Sequence, residues 1–113
     1  MDMMDFLKTV TAASGFTHAA GVEVVAAEVG VVTLALARKP ELLQFSGSFH
    51  GGVLAGLVDH CAGAAATTTL APGKIAVTVI CTSTTWPRPM ARRSPRRLNA
   101  FRREALCAWC PSV

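Results

Sequence analysis

In the stretch QFSGSFHGGVLAGLVDH, residues 44–60, Asp59 stands nine residues after a His-Gly-Gly and inside an otherwise apolar segment. A carboxylate taken out of water is either satisfied by hydrogen bonds or kept because its charge is used, and desolvation raises its pKa and makes it a better base. Gly51 and Gly52 stand where a helix would begin. Backbone N–H groups at that point lack intrahelical acceptors and sit at the positive end of the dipole. Such a terminus stabilises negative charge developing on a carbonyl oxygen, and glycine lets a substrate reach the backbone. A carboxylate with an oxyanion donor is the minimum apparatus for cleaving an acyl group with water.

These groups need a long helix to hold them, and residues 52–70 are the strongest candidate, stopping before the Ala-Pro-Gly of 71–73. On it Val53, Leu57, Cys61 and Ala64 share one stripe, and Gly52, Ala55, Gly56, Asp59 and Gly63 share another with almost no side-chain bulk. A sheet, a ligand or a partner subunit can approach the backbone on that second stripe. His60 is one step around the helix from Asp59 and is expected to face elsewhere in a structural role, and Thr67 to Thr69 to finish the helix. Upstream, Met3, Phe6, Leu7 and Val10 have helical spacing, closed by Ser14-Gly15. From Gly21 the residues become β-branched: Val24, Ala26 and Glu28 alternate with Val25, Ala27 and Val29, and Gly30 splits a hairpin whose second strand is expected to run to about Arg38. Pro40 ends that strand, and a loop carries the His-Gly-Gly. His18 lies in a connecting segment with no expected catalytic role, and residues 74–80, KIAVTVI, predict a third strand. The order of elements is that of an α+β chain in which an antiparallel sheet wraps a central long helix.

The residues of the central stretch resemble those of a known family, the hotdog-fold acyl-CoA thioesterases of the phenylacetate-pathway and thioesterase superfamily member two group. The family pattern is an amide side chain, a glycine, His-Gly-Gly opening the hotdog helix, and an aspartate nine residues after the histidine. The matching positions are Gln44, Gly47, His50 to Gly52 and Asp59, and the resemblance spans roughly residues 15–80. It implies that Asp59 is the nucleophile or the base that activates water, and that the Gly51 N–H polarises the thioester carbonyl. It also implies that His50 orients the loop or the sulfur side of the substrate, that Gln44 helps hold the water or the carbonyl, and that Gly47 and Gly52 border the substrate. Gln44 departs from the usual asparagine by one methylene. The implied substrate is an acyl-CoA, with no cofactor and no metal. In the family the aspartate and the His-Gly-Gly loop of one site come from different subunits, so a homodimer or homotetramer is implied. The alternative is a catalytically inactive hotdog subunit that binds acyl groups or serves only assembly.

Length and charge set the remaining expectations. The chain has 113 residues, enough for one domain. No apolar run reaches the roughly 18–20 residues of a membrane span, and the acidic start, MDMMDFLKTV, is unlike a secretory signal. A cytoplasmic location and no membrane partner are expected. Up to residue 79 four Lys or Arg accompany six Asp or Glu, whereas afterwards seven arginines accompany Glu104 alone. The chain therefore divides into a hotdog core, residues 1–80, and an atypical Arg- and Pro-rich tail, residues 81–113. Family members continue with further alternating strands, and this tail instead has the composition of GC-rich coding sequence read out of frame. One permitted codon choice for Val79 to Trp86, read in a shifted frame, yields Asn-Leu-His-Glu-Tyr-Asn-Leu, which is strand-like. The expectation is a frameshifted or otherwise aberrant terminus, and the sheet of the fold is then incomplete at its C-terminal end. Nucleic acid is not an expected partner, since Trp86, Phe101 and Trp109 fall on no recognisable module. Cys107 and Cys110 form a Cys-x-x-Cys without a second pair, which argues against zinc.

Overall fold

The computed structural model describes residues 1–78. The tail assigned to residues 81–113, with its Cys107–Cys110 pair, and the end of the third predicted strand lie outside the described residues.

Helix α1, Met3–Ala13, begins where Asp2 Oδ1 accepts the Asp5 N–H at 2.8 Å, a side-chain N-cap. Its inward stripe is Met4, Leu7 and Thr11, rotated from the predicted one: Leu7 and Thr11 are buried, while Met3 and Val10 are exposed. The chain turns at Ser14 into a second short helix, α2, Gly15–Ala20, in place of the connecting segment predicted around His18. This helix is held by its polar side chains. Thr17 Oγ1 donates to Thr11 O at 2.7 Å and His18 Nδ1 bonds Ala12 O at 2.9 Å, which requires the proton on Nδ1 because a carbonyl only accepts.

Strands β1, Val22–Glu28, and β2, Val31–Leu36, form an antiparallel hairpin across the Val29-Gly30 turn. Val22 pairs with Leu36 and Val24 with Leu34, but the register then shifts and Ala27 pairs with Val32. The shift places Val25 in a bulge. One extra residue moves every later side chain to the opposite face. Ala26 and Glu28 therefore leave the face of Val24, where simple alternation had placed them, and the bulge spares the fold a buried glutamate. Val22, Val24, Val32, Leu34 and Leu36 line the buried face. Strand β2 stops at Leu36, two residues short of Arg38, because its partner Val22 is preceded by Gly21, the left-handed C-cap of α2. Lys39 is then free to donate from Nζ to Ala19 O at 2.8 Å.

A 3-10 turn at Pro40–Leu42 leads to the loop and to helix α3, Gly51–Thr67. Leu57, Ala64 and Ala65 of α3 join Leu7 of α1 and the hairpin face in one apolar cluster, with Val53 and Cys61 packed against it, so the predicted stripe does face the core. The Cys61 thiol donates to Val32 O at 3.3 Å, and burial pushes its pKa up. The fold is α+β, with helices on a two-stranded antiparallel sheet among the described residues. The predicted third strand is not formed over its described part: residues 74–78 form no ladder, and Ile75 and Val77 are exposed. Alternation supplies the faces of a strand, but a strand exists only by pairing, and here the Ala76 N–H donates to Thr67 Oγ1 at 3.0 Å instead. No described helix is long and apolar enough to cross a membrane.

Candidate functional site

The loop between β2 and α3 is a closed structure. An isolated bridge pairs Leu43 with Phe49, the Gln44 N–H donates to Ser48 O at 2.8 Å, and the Gly47 N–H donates to Gln44 O at 2.9 Å. Gly47 has φ +81°, a left-handed conformation that favours glycine. Its carbonyl accepts from Arg38 Nη2 at 2.6 Å, which ties the loop to the end of the hairpin. Phe45 and the Gln44 side chain are exposed at the tip. The far end of the loop is fixed by the His50 N–H, which donates to Leu42 O at 2.9 Å, next to the buried Leu42 side chain.

His50 is the N-cap of α3. Its Nδ1 accepts the Gly52 N–H at 2.9 Å, and its carbonyl accepts from the N–H groups of Val53 and Leu54. An accepting Nδ1 leaves the neutral ring with its proton on Nε2. Of the first backbone donors of the helix, Gly52 is thus engaged. The Gly51 N–H has no partner among the described residues, and a Cβ at position 51 would meet nothing within 4 Å. An open, unsatisfied donor at a helix start is the chemical feature of this end.

Asp59 is half-buried on α3, more exposed than a carboxylate inside a buried helix would be. Eight residues separate it from Gly51, which is about 12 Å along the axis and about 80° around it. Within one chain, therefore, Asp59 and the His-Gly-Gly are two separate groups, while Gln44, Gly47, His50, Gly51 and Gly52 gather at the N-terminal end of the helix. His60 beside Asp59 shares a hydrogen bond between Nε2 and the Thr11 hydroxyl at 2.9 Å, tying α3 to α1. Burial lowers the pKa of His60, and the charge of Asp59 pulls it partly back up. Among the described residues no group of three or more His, Cys, Asp or Glu comes together to hold a metal ion.

One contact on the stripe that carries Asp59 escapes sequence reasoning. The Phe16 ring lies on Gly56, with Cε1 2.7 Å from where a Cβ would stand, so a side chain at position 56 would displace it. The bulk-free stripe hints that something approaches α3 there, but nothing in the chain says it is Phe16. Compared with known proteins, the chain matches no family model, no curated protein and no solved structure.

Proposed function

We propose that the chain is a hotdog-type acyl-CoA thioesterase, with α3 as the central helix and the loop at Gln44–His50 opening its site. The observation that carries this reading is the Gly51 N–H, without a partner among the described residues, at a helix start capped by His50, on a helix that bears a carboxylate nine residues after that histidine. Asp59 either removes a proton from water, whose oxygen adds to the thioester carbonyl, or attacks that carbonyl itself to give a mixed anhydride that water then hydrolyses, releasing the acid and restoring the carboxylate. The Gly51 N–H donates to the oxygen that becomes negative, and collapse of the adduct expels CoA thiolate, which takes up a proton. His50 positions the donor by capping Gly52, and Gln44 and Gly47 set the rim. Gly52 shapes the approach without offering its own N–H. The separation of about 12 Å along one helix means that a site using both groups closes between two copies of the chain. A two-fold pair then forms two equivalent sites, each with Asp59 of one copy and Gly51 of the other.

The test is thiol release from short-chain, long-chain and arylacetyl-CoA thioesters by the full chain, with Asp59→Ala and Asp59→Asn alongside. Turnover that falls by about two to four orders of magnitude in variants of unchanged circular dichroism supports the assignment; equal turnover in all three removes Asp59 from the chemistry. Residues 74–78, unladdered and exposed except at Ala76, favour one other reading, a hotdog subunit that binds acyl groups or assembles without hydrolysing them. Absence of turnover in the parent as well as the variants selects that one.

A further inference from the structure

We propose that Phe16 sets the length of the acyl group that the site accepts, an inference that rests on the acyl-CoA reading above. Beside Asp59 on α3 stands the Phe16 ring on Gly56, and Gly56 and Asp59 are i, i+3 neighbours, about 5–6 Å apart on the helix surface. Toward the other end of the helix, the Ala76 carbonyl oxygen is 4.0 Å from where a Gly63 Cβ would stand. The Phe16 ring offers an apolar wall, so an acyl tail whose carbonyl stands at Asp59 runs that way.

The ring is suited to act as a wall rather than as core. It is 46% exposed, one face on the glycine and the other open. The two residues that follow it tie its helix to α1: Thr17 Oγ1 donates to Thr11 O and His18 bonds Ala12 O, and Thr11 in turn bonds His60 of α3. A partly exposed ring beside such a tied segment limits chain length without sealing the site.

The experiment compares kcat/KM for dodecanoyl-CoA and butyryl-CoA in the parent chain and in Phe16→Ala, Phe16→Leu and Phe16→Trp. The dodecanoyl to butyryl ratio is expected to rise about tenfold or more in Phe16→Ala, to rise less in Phe16→Leu and to fall in Phe16→Trp, since a few methylenes of pocket space discriminate by that order. An unchanged ratio in folded variants overturns the proposal. Phe16→Leu, which keeps apolar bulk on Gly56, decides the matter if Phe16→Ala does not fold. If the parent chain hydrolyses neither thioester, calorimetric titration with the S-butyl and S-dodecyl thioethers of CoA replaces turnover. A chain-length preference that shifts with residue 16 then upholds the role of Phe16 while the hydrolase reading falls. Binding without such a shift overturns the wall and leaves the acyl site standing, and no binding overturns both.

Discussion

The two ends of α3 are built on opposite plans. At the C-terminal end Ala64, Ala65, Thr67 and Thr68 are buried, and two threonine hydroxyls each donate and accept. Thr68 Oγ1 donates to Ala65 O at 2.6 Å and accepts the Gly30 N–H at 2.7 Å, fastening the hairpin turn to the helix. Thr67 Oγ1 donates to Gly63 O at 2.8 Å and accepts the Ala76 N–H at 3.0 Å, fastening the outgoing chain. At the N-terminal end Gly51 and Gly52 are exposed, one ring nitrogen supplies the cap, and the Gly51 donor has no partner among the described residues. A helix anchored by packing at one end can leave backbone groups at the other end for a ligand. The two ends stand about 17 residues, or roughly 25 Å, apart.

The sharpest way to break this contrast is Gly51→Pro. Proline at the first helical position removes the N–H and suits the local backbone, and His50, at φ −64° and ψ 136°, already has the extended conformation that a residue before proline prefers. Turnover is expected to fall about 100- to 1,000-fold, the loss typical of one oxyanion donor, with the urea midpoint unchanged or raised. Retained turnover would remove Gly51 from the chemistry.

Thr68→Val tests the other end. It keeps the shape and leaves the Gly30 N–H without its acceptor, so unfolding free energy should drop by about 1–3 kcal/mol while kcat in the folded protein stays unchanged. A loss of kcat without loss of stability would show that the two ends are not independent. His50→Ala is expected to lower stability by about 1 kcal/mol through loss of the cap, and to weaken turnover because the loop loses its hold on the helix start.

The smallest effect is that of pH on His60. Burial lowers its pKa in the fold, so the unfolded chain binds the proton more tightly, and stability should fall as pH drops from about 6.5 through the folded value. Asp59 opposes that shift. In Asp59→Asn the His60 pKa should drop further and the acid loss extend to lower pH, which urea midpoints between about pH 5.5 and 7.5 would record.

Much of this architecture is legible along the chain. Leu7 at helical spacing, the β-branched run broken by Gly30, and the stripe of Val53, Leu57, Cys61 and Ala64 announce α1, the hairpin and α3, because each depends on bonds between near neighbours in sequence. The threonines 67–69 finish the helix as their hydroxyls suggest, each bonding back to a carbonyl three or four residues earlier. What misleads is pattern without a partner. KIAVTVI alternates like a strand, yet residues 74–78 have no ladder, and Val24, Ala26 and Glu28 alternate like one face until the Val25 bulge divides them.

By itself, then, the sequence determined the types of the elements, the face of α3 that meets the sheet, and the nine-residue interval between His50 and Asp59, all of which follow from the period of a helix or the pleat of a strand. The tertiary structure alone decided that Phe16 lies on Gly56, that His60 reaches Thr11, that Thr67 captures the Ala76 N–H, and that His50 takes the Gly52 N–H and not that of Gly51. Those outcomes depend on which distant groups meet in space and compete for the same hydrogen-bond partners, and no periodicity along the chain carries that information.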